Sequence, residues 1–252
     1  MARFRSVLIT GASSGIGQAL ALACAAPGVT LHLCGRDAAR LKAVATACRA
    51  RGAAAAAPAV CDVRDAAAMA EWIGAAGPLD LVVANAGIAA GHTETPEQTR
   101  AIFATNLDGV LNTVLPALEQ MAGQPPGPDG LRGRIAVIAS IAAFVRAADA
   151  PAYCASKAAA DAWTVASAPS ARRRGVVLTS VCPGFIRSPM TAGRGTPMPG
   201  LMDAARAAAI ILRGVAKGRA RVAFPWWMAA GARLAGLLPA SWMAGRPRAT
   251  GE

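Results

Sequence analysis

Tyrosine occurs once in the 252 residues, histidine twice, and the 14 acidic residues are outnumbered by 26 lysines and arginines. The two histidines, His32 and His92, have no ligand-spaced neighbours. The six cysteines (24, 34, 48, 61, 154 and 182) form no Cys-x-x-Cys pair. A zinc site and a disulfide framework are therefore not expected, and the cysteines read as buried, reduced thiols of a cytosolic protein. Charged residues make up only 16% of the chain against 54% hydrophobic, which excludes global disorder. The net charge is +12, but the basic residues are dispersed, apart from Arg172-Arg173-Arg174 and a sprinkling after Arg187. No basic run is interleaved with aromatics as a base-stacking platform requires, so nucleic acid is not an expected partner. Small anions and lipid headgroups are easier recipients of this field. Val7-Leu8-Ile9 is too short for the core of a signal peptide and runs into a glycine-rich turn, so a cytoplasmic location is expected.

Short apolar runs alternate with longer alanine-rich stretches. Strands are predicted at Ser6–Thr10, Val29–Cys34, Ala54–Val60, Leu79–Ala84, Arg134–Ala139, Val176–Cys182 and Arg221–Phe224. Helices are predicted at Gly15–Ala25, Ala38–Ala50, Ala66–Gly74, Pro96–Met121, Ala150–Ala168 and Asp203–Lys217. Continuous apolar strands separated by helices imply an α/β fold with a parallel sheet covered on both faces. With no internal repeat and no shift in composition, residues 1–252 read as a single domain. Gly123–Gly133 reads as a solvated connection. Thr191–Gly200 is either an ordinary loop or a lid beside the site.

Between the first strand and the first helix lies Thr10-Gly11-Ala12-Ser13-Ser14-Gly15-Ile16-Gly17. Its glycines permit a tight turn and bring backbone N–H groups to a positive helix N-terminus, where a pyrophosphate binds. The lone tyrosine, Tyr153, stands four residues before Lys157 in Tyr-Cys-Ala-Ser-Lys. Positions i and i+4 share a helix face. A phenol with an ordinary pKa of about 10 becomes a better base beside an ammonium, which favours the phenolate.

The Gly-x-x-x-Gly-x-Gly spacing together with Tyr153-x-x-x-Lys157 resembles the short-chain dehydrogenase/reductase family over roughly residues 5–190. The resemblance includes Asp62, Asn85-Ala86-Gly87, Asn106, Ser140 and Pro183-Gly184, in that order. It implies a doubly wound, seven-stranded parallel Rossmann sheet. By resemblance Tyr153 transfers the proton, Lys157 lowers its pKa and bonds the nicotinamide ribose, Ser140 donates to the substrate oxygen, and Asn106 holds a water in a relay behind the lysine. Taken alone, Ser140 could cap a turn and Asn106 could satisfy backbone groups. The cofactor groove is expected to include Gly11, Ser13, Ser14, Gly15, Ile16 and Gly17 at the phosphates. Asp62 and Val63 are expected at the adenine, with Asn85 and Gly87 along the groove. Pro183, Gly184 and Ile186 are expected at the carboxamide, followed by Ser188. Ala84 replaces the first asparagine of the family's usual Asn-Asn-Ala-Gly.

An acid at the end of the second strand would favour NAD, and a nearby arginine favours NADP. Here Gly35 takes the acid's place and Arg36 follows, so NADP is expected over NAD. Asp37 is a rival ribose ligand, although a helix N-cap is its ordinary role.

The segment 223–245 is an apolar extension whose only charge is Arg233. Trp226, Ala230, Leu234 and Leu237 follow helical spacing, ahead of a turn at Pro239. Three readings stand: a pocket cap or contact with another subunit, a membrane-interface segment suited by Trp and flanking arginines, or a bilayer span, which the arginine disfavours. Pro169 is expected to kink or end its helix, which weakens the family's usual subunit contact, although a homo-oligomer is still expected. The resemblance thus implies an NADP(H)-dependent oxidoreductase interconverting a carbonyl and a secondary alcohol. Ile141, Phe144, Val145, Met190 and Met198 make the predicted pocket apolar and the substrate lipophilic, with Arg146 and Arg187 as candidate anion contacts. The alternative is a non-catalytic NADP-binding sensor or scaffold.

Overall fold

A computed structural model of the chain describes residues 4–90, 94–192 and 197–237. Its strands are β1 (Ser6–Thr10), β2 (Thr30–Gly35), β3 (Ala55–Val60), β4 (Leu81–Ala84), β5 (Gly133–Ile138), β6 (Val176–Pro183) and β7 (Arg221–Phe224). They form one seven-stranded sheet in the order β3-β2-β1-β4-β5-β6-β7, every pair parallel. The helices are α1 (Gly15–Cys24), α2 (Ala38–Ala50), α3 (Ala66–Ala75), α4 (Pro96–Phe103), α5 (Gly109–Gly123), α6 (Pro151–Arg173), α7 (Ala204–Ala216) and α8 (Trp226–Gly236).

Both faces of the sheet are covered, which is why its central strands are apolar throughout rather than alternating. In β1, Val7 and Ile9 pack with Leu20 of α1 and Ile211 of α7 in one core. Leu8 points the other way, into a core with Met69 of α3, Val114 of α5 and Ala160 of α6. Pro58 is tolerated because β3 is an edge strand. The strand order reverses between β1 and β4, opening a crevice at the carboxyl ends of the strands.

Two helices differ from expectation. The run starting at Pro96 is interrupted by a π-helical turn over Ala104–Asp108, between α4 and α5. Such turns add a residue to the spiral and re-aim side chains. This one directs Asn106 into the interior, where it is fully buried. The second difference is a correction: α6 does not end at Pro169 but runs through it to Arg173. Pro169 lies on the exposed side of the helix. Buried Ala160, Thr164 and Ala171 anchor the helix on either side. That packing outweighs the local cost of about 3 kcal/mol, so of the two expected effects of Pro169, ending the helix is overturned.

Candidate active site

The crevice holds a cavity of about 830 Å³. At one end the glycine-rich turn leaves β1 and enters α1. Gly11 has a φ of +63°, and a Cβ on Gly17 would stand 2.3 Å from the Gly11 carbonyl oxygen. Only bare backbone fits there. Asn85 locks the turn from β4: its Nδ2 donates to the carbonyls of Thr10 and Gly11 at 3.0 and 3.1 Å. Ser13, Ser14, Gly15 and Ile16 line the cavity, whereas Gly17 lies behind the turn and does not. Its role is to let the turn close, which corrects its expected place in the groove.

Next along the crevice come the ends of β2 and β3. Arg36, Asp62 and Val63 line the cavity. Ser13 Oγ lies 3.3 Å from where a Cβ on Gly35 would stand, so the hydroxyl fills the corner an acidic side chain would occupy. Asp37 is otherwise engaged. It caps α2 by accepting from the Arg40 backbone N at 2.9 Å and from Arg40 Nε at 2.5 Å. Those bonds hold its carboxyl below the usual range. Asp62 accepts from Arg64 Nη2 at 2.6 Å, and that guanidinium likewise lowers its pKa.

Ser140, just after β5 at the start of a 3-10 turn, and Tyr153 and Lys157 of α6 all line the cavity. Ser140 Oγ accepts from Ala142 N at 3.1 Å. That bond caps a short 3-10 turn over Ile141–Phe144 and uses an acceptor lone pair, leaving the hydroxyl hydrogen for another partner. Lys157 is 4% exposed. Its Nζ donates to the Ile138 carbonyl at 2.8 Å and lies 6.0 Å from the centre of the Tyr153 ring. Burial pulls its pKa down to about 8.

Asn106 does not line the cavity. Its Oδ1 accepts from Ile88 N at 2.8 Å, and its Nδ2 donates to Ile88 O at 2.9 Å and to Ser156 Oγ at 3.2 Å. Asn106 therefore does satisfy backbone groups, those of the loop after β4 rather than of its own helix. Asn106 Oδ1 and Lys157 Nζ each lie 3.2 Å from where a Cβ on Gly87 would stand, so they flank one point of that loop.

Glu94 has no counterpart among the residues expected from the sequence. Its carboxylate accepts from Ala152 N at 2.8 Å and Tyr153 N at 3.5 Å, capping the α6 turn that carries the tyrosine. Ala150, the residue before the helix, offers no side-chain cap. An acid 58 residues upstream carries no local capping signal, so only the fold pairs it with this helix.

Pro183, Gly184, Ile186 and Ser188 close the far wall. A Cβ on Gly184 would come within 2.8 Å of Met228 Sδ, so glycine there lets α8 approach. Trp227, Met228, Gly231, Ala232 and Ala235 of α8 line the cavity together with Ile141, Val145 and Met190. Phe144 and Met198 do not line it, contrary to expectation. The Phe144 ring faces Arg233 and Arg221 instead, with guanidinium carbons 4.4 and 5.6 Å from its centre. Both candidate anion contacts are engaged elsewhere. Arg146 donates to the Gly236 carbonyl at 2.7 Å, and Arg187 pairs with Asp203 at the surface.

The expected stripe on α8 turns outward. Trp226, Ala230, Leu234 and Leu237 are exposed, Trp226 at 79% and Leu237 at 82%. Pro239 and Trp242 lie outside the described residues, as do His92 and the 193–196 part of the candidate lid. Among the described residues no cluster of His, Cys, Asp and Glu could hold a metal ion.

A family profile described as short chain dehydrogenase matches residues 5–198. An uncharacterized oxidoreductase of Myxococcus xanthus is 38% identical over 244 residues, covering 94% of this chain and 93% of its own. A putative ketoacyl reductase of granaticin polyketide synthase from Streptomyces violaceoruber is 35% identical over 193 residues, covering 73% of this chain and 68% of its own. Among solved structures, a short-chain type dehydrogenase/reductase from Mycobacterium marinum superposes with a TM-score of 0.78 at 27% identity. That superposition covers 87% of this chain and 93% of the other.

Proposed function

We propose that this chain, which belongs to the short-chain dehydrogenase family, interconverts a carbonyl and a secondary alcohol on a lipophilic small molecule with NADP(H). It is an oxidoreductase that uses a nicotinamide cofactor. The observation that supports the finer reading is that the glycine-rich turn and Ser140, Tyr153 and Lys157 line one and the same cavity.

The chain's residues fit a dinucleotide. The turn from Gly11 to Gly17 closes only on bare backbone, and Ser13, Ser14, Gly15 and Ile16 line the cavity at the α1 N-terminus, where a pyrophosphate would bind. Ser13 and Arg36 would hold the 2′-phosphate of NADP, with Gly35 taking the place of the acid that would select NAD. Asp62 and Val63 would border the adenine, and Asn85 and Gly87 the groove. Pro183, Gly184, Ile186 and Ser188 would border the nicotinamide end. When bound, the nicotinamide supplies or accepts the hydride.

The remaining work falls to side chains. The Tyr153 hydroxyl gives its proton to the carbonyl oxygen during reduction and removes it from the alcohol in the reverse direction. Lys157 favours the phenolate by charge and would bond the nicotinamide ribose. Ser140 donates to the substrate oxygen and stabilises its developing charge. Asn106 fixes the loop after β4 beside Lys157 and orders the proton relay behind it. The walls from α8 and from Ile141, Val145 and Met190 are apolar, which selects a lipophilic substrate and makes α8 the pocket cap.

The outward stripe on α8 serves as a contact for a second copy of the chain, giving a homo-oligomer. Exposed Trp226 also favours a second reading, a lipid interface. An 11-residue helix rises about 16 Å, half the roughly 30 Å of a bilayer core, so α8 does not itself span.

A panel of ketones, quinones, steroids and acyl thioesters, offered with NADPH and with NADH, tests the reading. Apolar carbonyls are expected to be reduced faster with NADPH. Absence of turnover with every carbonyl and with the matching alcohols would overturn it.

A further inference from the structure

We infer that Cys34 and Cys61 form a reversible disulfide at the adenosine end of the cavity, a thiol modification site gated by nucleotide occupancy. Cys34 lies near the end of β2, and Cys61 directly follows β3. Their Sγ atoms are 2.6 Å apart, and Cys34 Sγ also donates to the Cys61 carbonyl at 3.5 Å. Disulfide sulfurs sit about 2.05 Å apart, so closure requires only a small movement of two strands that are already paired. Both sulfurs belong to residues that line the cavity, Cys34 buried and Cys61 half-buried.

The two thiols are chemically unequal. Cys61 is the one cysteine of the six whose pKa is pushed down, through the hydrogen bond its sulfur shares with the Cys34 sulfur. Cys34 is pushed up by that bond and by burial. Burial also raises Cys24, Cys48, Cys154 and Cys182. The thiolate is the reactive form, so Cys61 attacks and Cys34 resolves.

The oxidant is a hydroperoxide. The Cys61 thiolate attacks the terminal peroxide oxygen, the O–O bond breaks, and an alcohol or water leaves with the proton, giving a sulfenic acid. The Cys34 sulfur then displaces hydroxide from the Cys61 sulfur, and the Cys34 proton leaves with it as water. In sum, two thiols and ROOH give a disulfide, ROH and water, with two electrons passing from sulfur to peroxide.

Gating by nucleotide rests on the proposed dinucleotide site: Arg36 and Asp62, one or two residues from the two cysteines, border the adenosine there. A bound nucleotide then covers Cys61.

The test uses the full chain, reduced and nucleotide-free, exposed to hydrogen peroxide, then alkylated and mapped by peptide mass. The expected product has lost two of its six alkylatable thiols and the mass of two hydrogens. It is cross-linked between Cys34 and Cys61 and restored by dithiothreitol. In Cys34→Ser the bridge is absent and Cys61 carries added oxygen instead. In Cys61→Ser thiol loss slows about tenfold. Saturating NADP+ is expected to slow bridging several-fold. Failure of the wild-type chain to form a Cys34–Cys61 peptide, or earlier bridging of another pair, overturns the inference without touching the dinucleotide site. Bridging at an unchanged rate under NADP+ upholds the thiol pair and instead contradicts the placement of the adenosine.

Discussion

Lys157 donates from Nζ to the main-chain carbonyl of Ile138 at 2.8 Å, tying a buried amine to the end of β5 two residues before Ser140. One bond thus fixes the lysine of α6 relative to the strand that delivers the serine.

The same burial makes Lys157 a pH-dependent cost to folding. Its pKa falls from an ordinary 10.5 to about 8, because desolvation disfavours the ammonium. Between those values the unfolded chain holds a proton that the folded chain does not, so stability rises with pH across that window. Below about 8 both states are protonated and the cost is fully present, on the order of 3 kcal/mol. Urea unfolding of the nucleotide-free protein from pH 7.5 to 10 is expected to show this rise in wild type and its loss in Lys157→Met. Parallel pH profiles for the two proteins would contradict it.

Arg36→Asp is expected to raise KM for NADPH about tenfold or more, the loss of a charge-assisted contact to phosphate, and to improve NADH. Asp37→Ala, by contrast, removes a helix cap. It is expected to lower stability modestly and to leave nucleotide preference in place. Paired KM measurements on both variants check the assignment. A preference that moves with Asp37 and not with Arg36 would reverse it.

The glycine cradle and the Tyr153–Lys157 pair were legible in the sequence because each is a local pattern with a fixed helix or turn geometry. The parallel sheet was legible for a related reason: uninterrupted apolar runs mark strands covered on both sides. What the sequence hid was set by contacts between distant segments. Glu94 caps α6 from across the chain, and Cys34 meets Cys61 only once β2 and β3 pair. Pro169 was misread because a local rule was applied where packing along α6 decides the outcome. The α8 spacing correctly indicated a helix but not which face is covered. Its small residues Gly231, Ala232 and Ala235 turn to the cavity, while the bulky stripe faces out.

That outward stripe separates its two candidate partners in solution. With Trp226 and Leu234 both changed to serine, a subunit contact predicts a shift to smaller species in gel filtration. A lipid contact predicts that wild type floats with anionic vesicles and that the double variant does not. An unshifted elution profile together with no flotation of wild type would remove the stripe from both roles.

The most direct test of the catalytic assignment is Tyr153→Phe, which removes a single oxygen. NADPH binding, followed by the change in nucleotide fluorescence, is expected to stay within about threefold of wild type. Turnover of the best carbonyl substrate is expected to fall by about 10² to 10⁴, the usual contribution of a positioned acid–base group. A phenylalanine variant that reduces the same carbonyl at the wild-type rate would contradict the account.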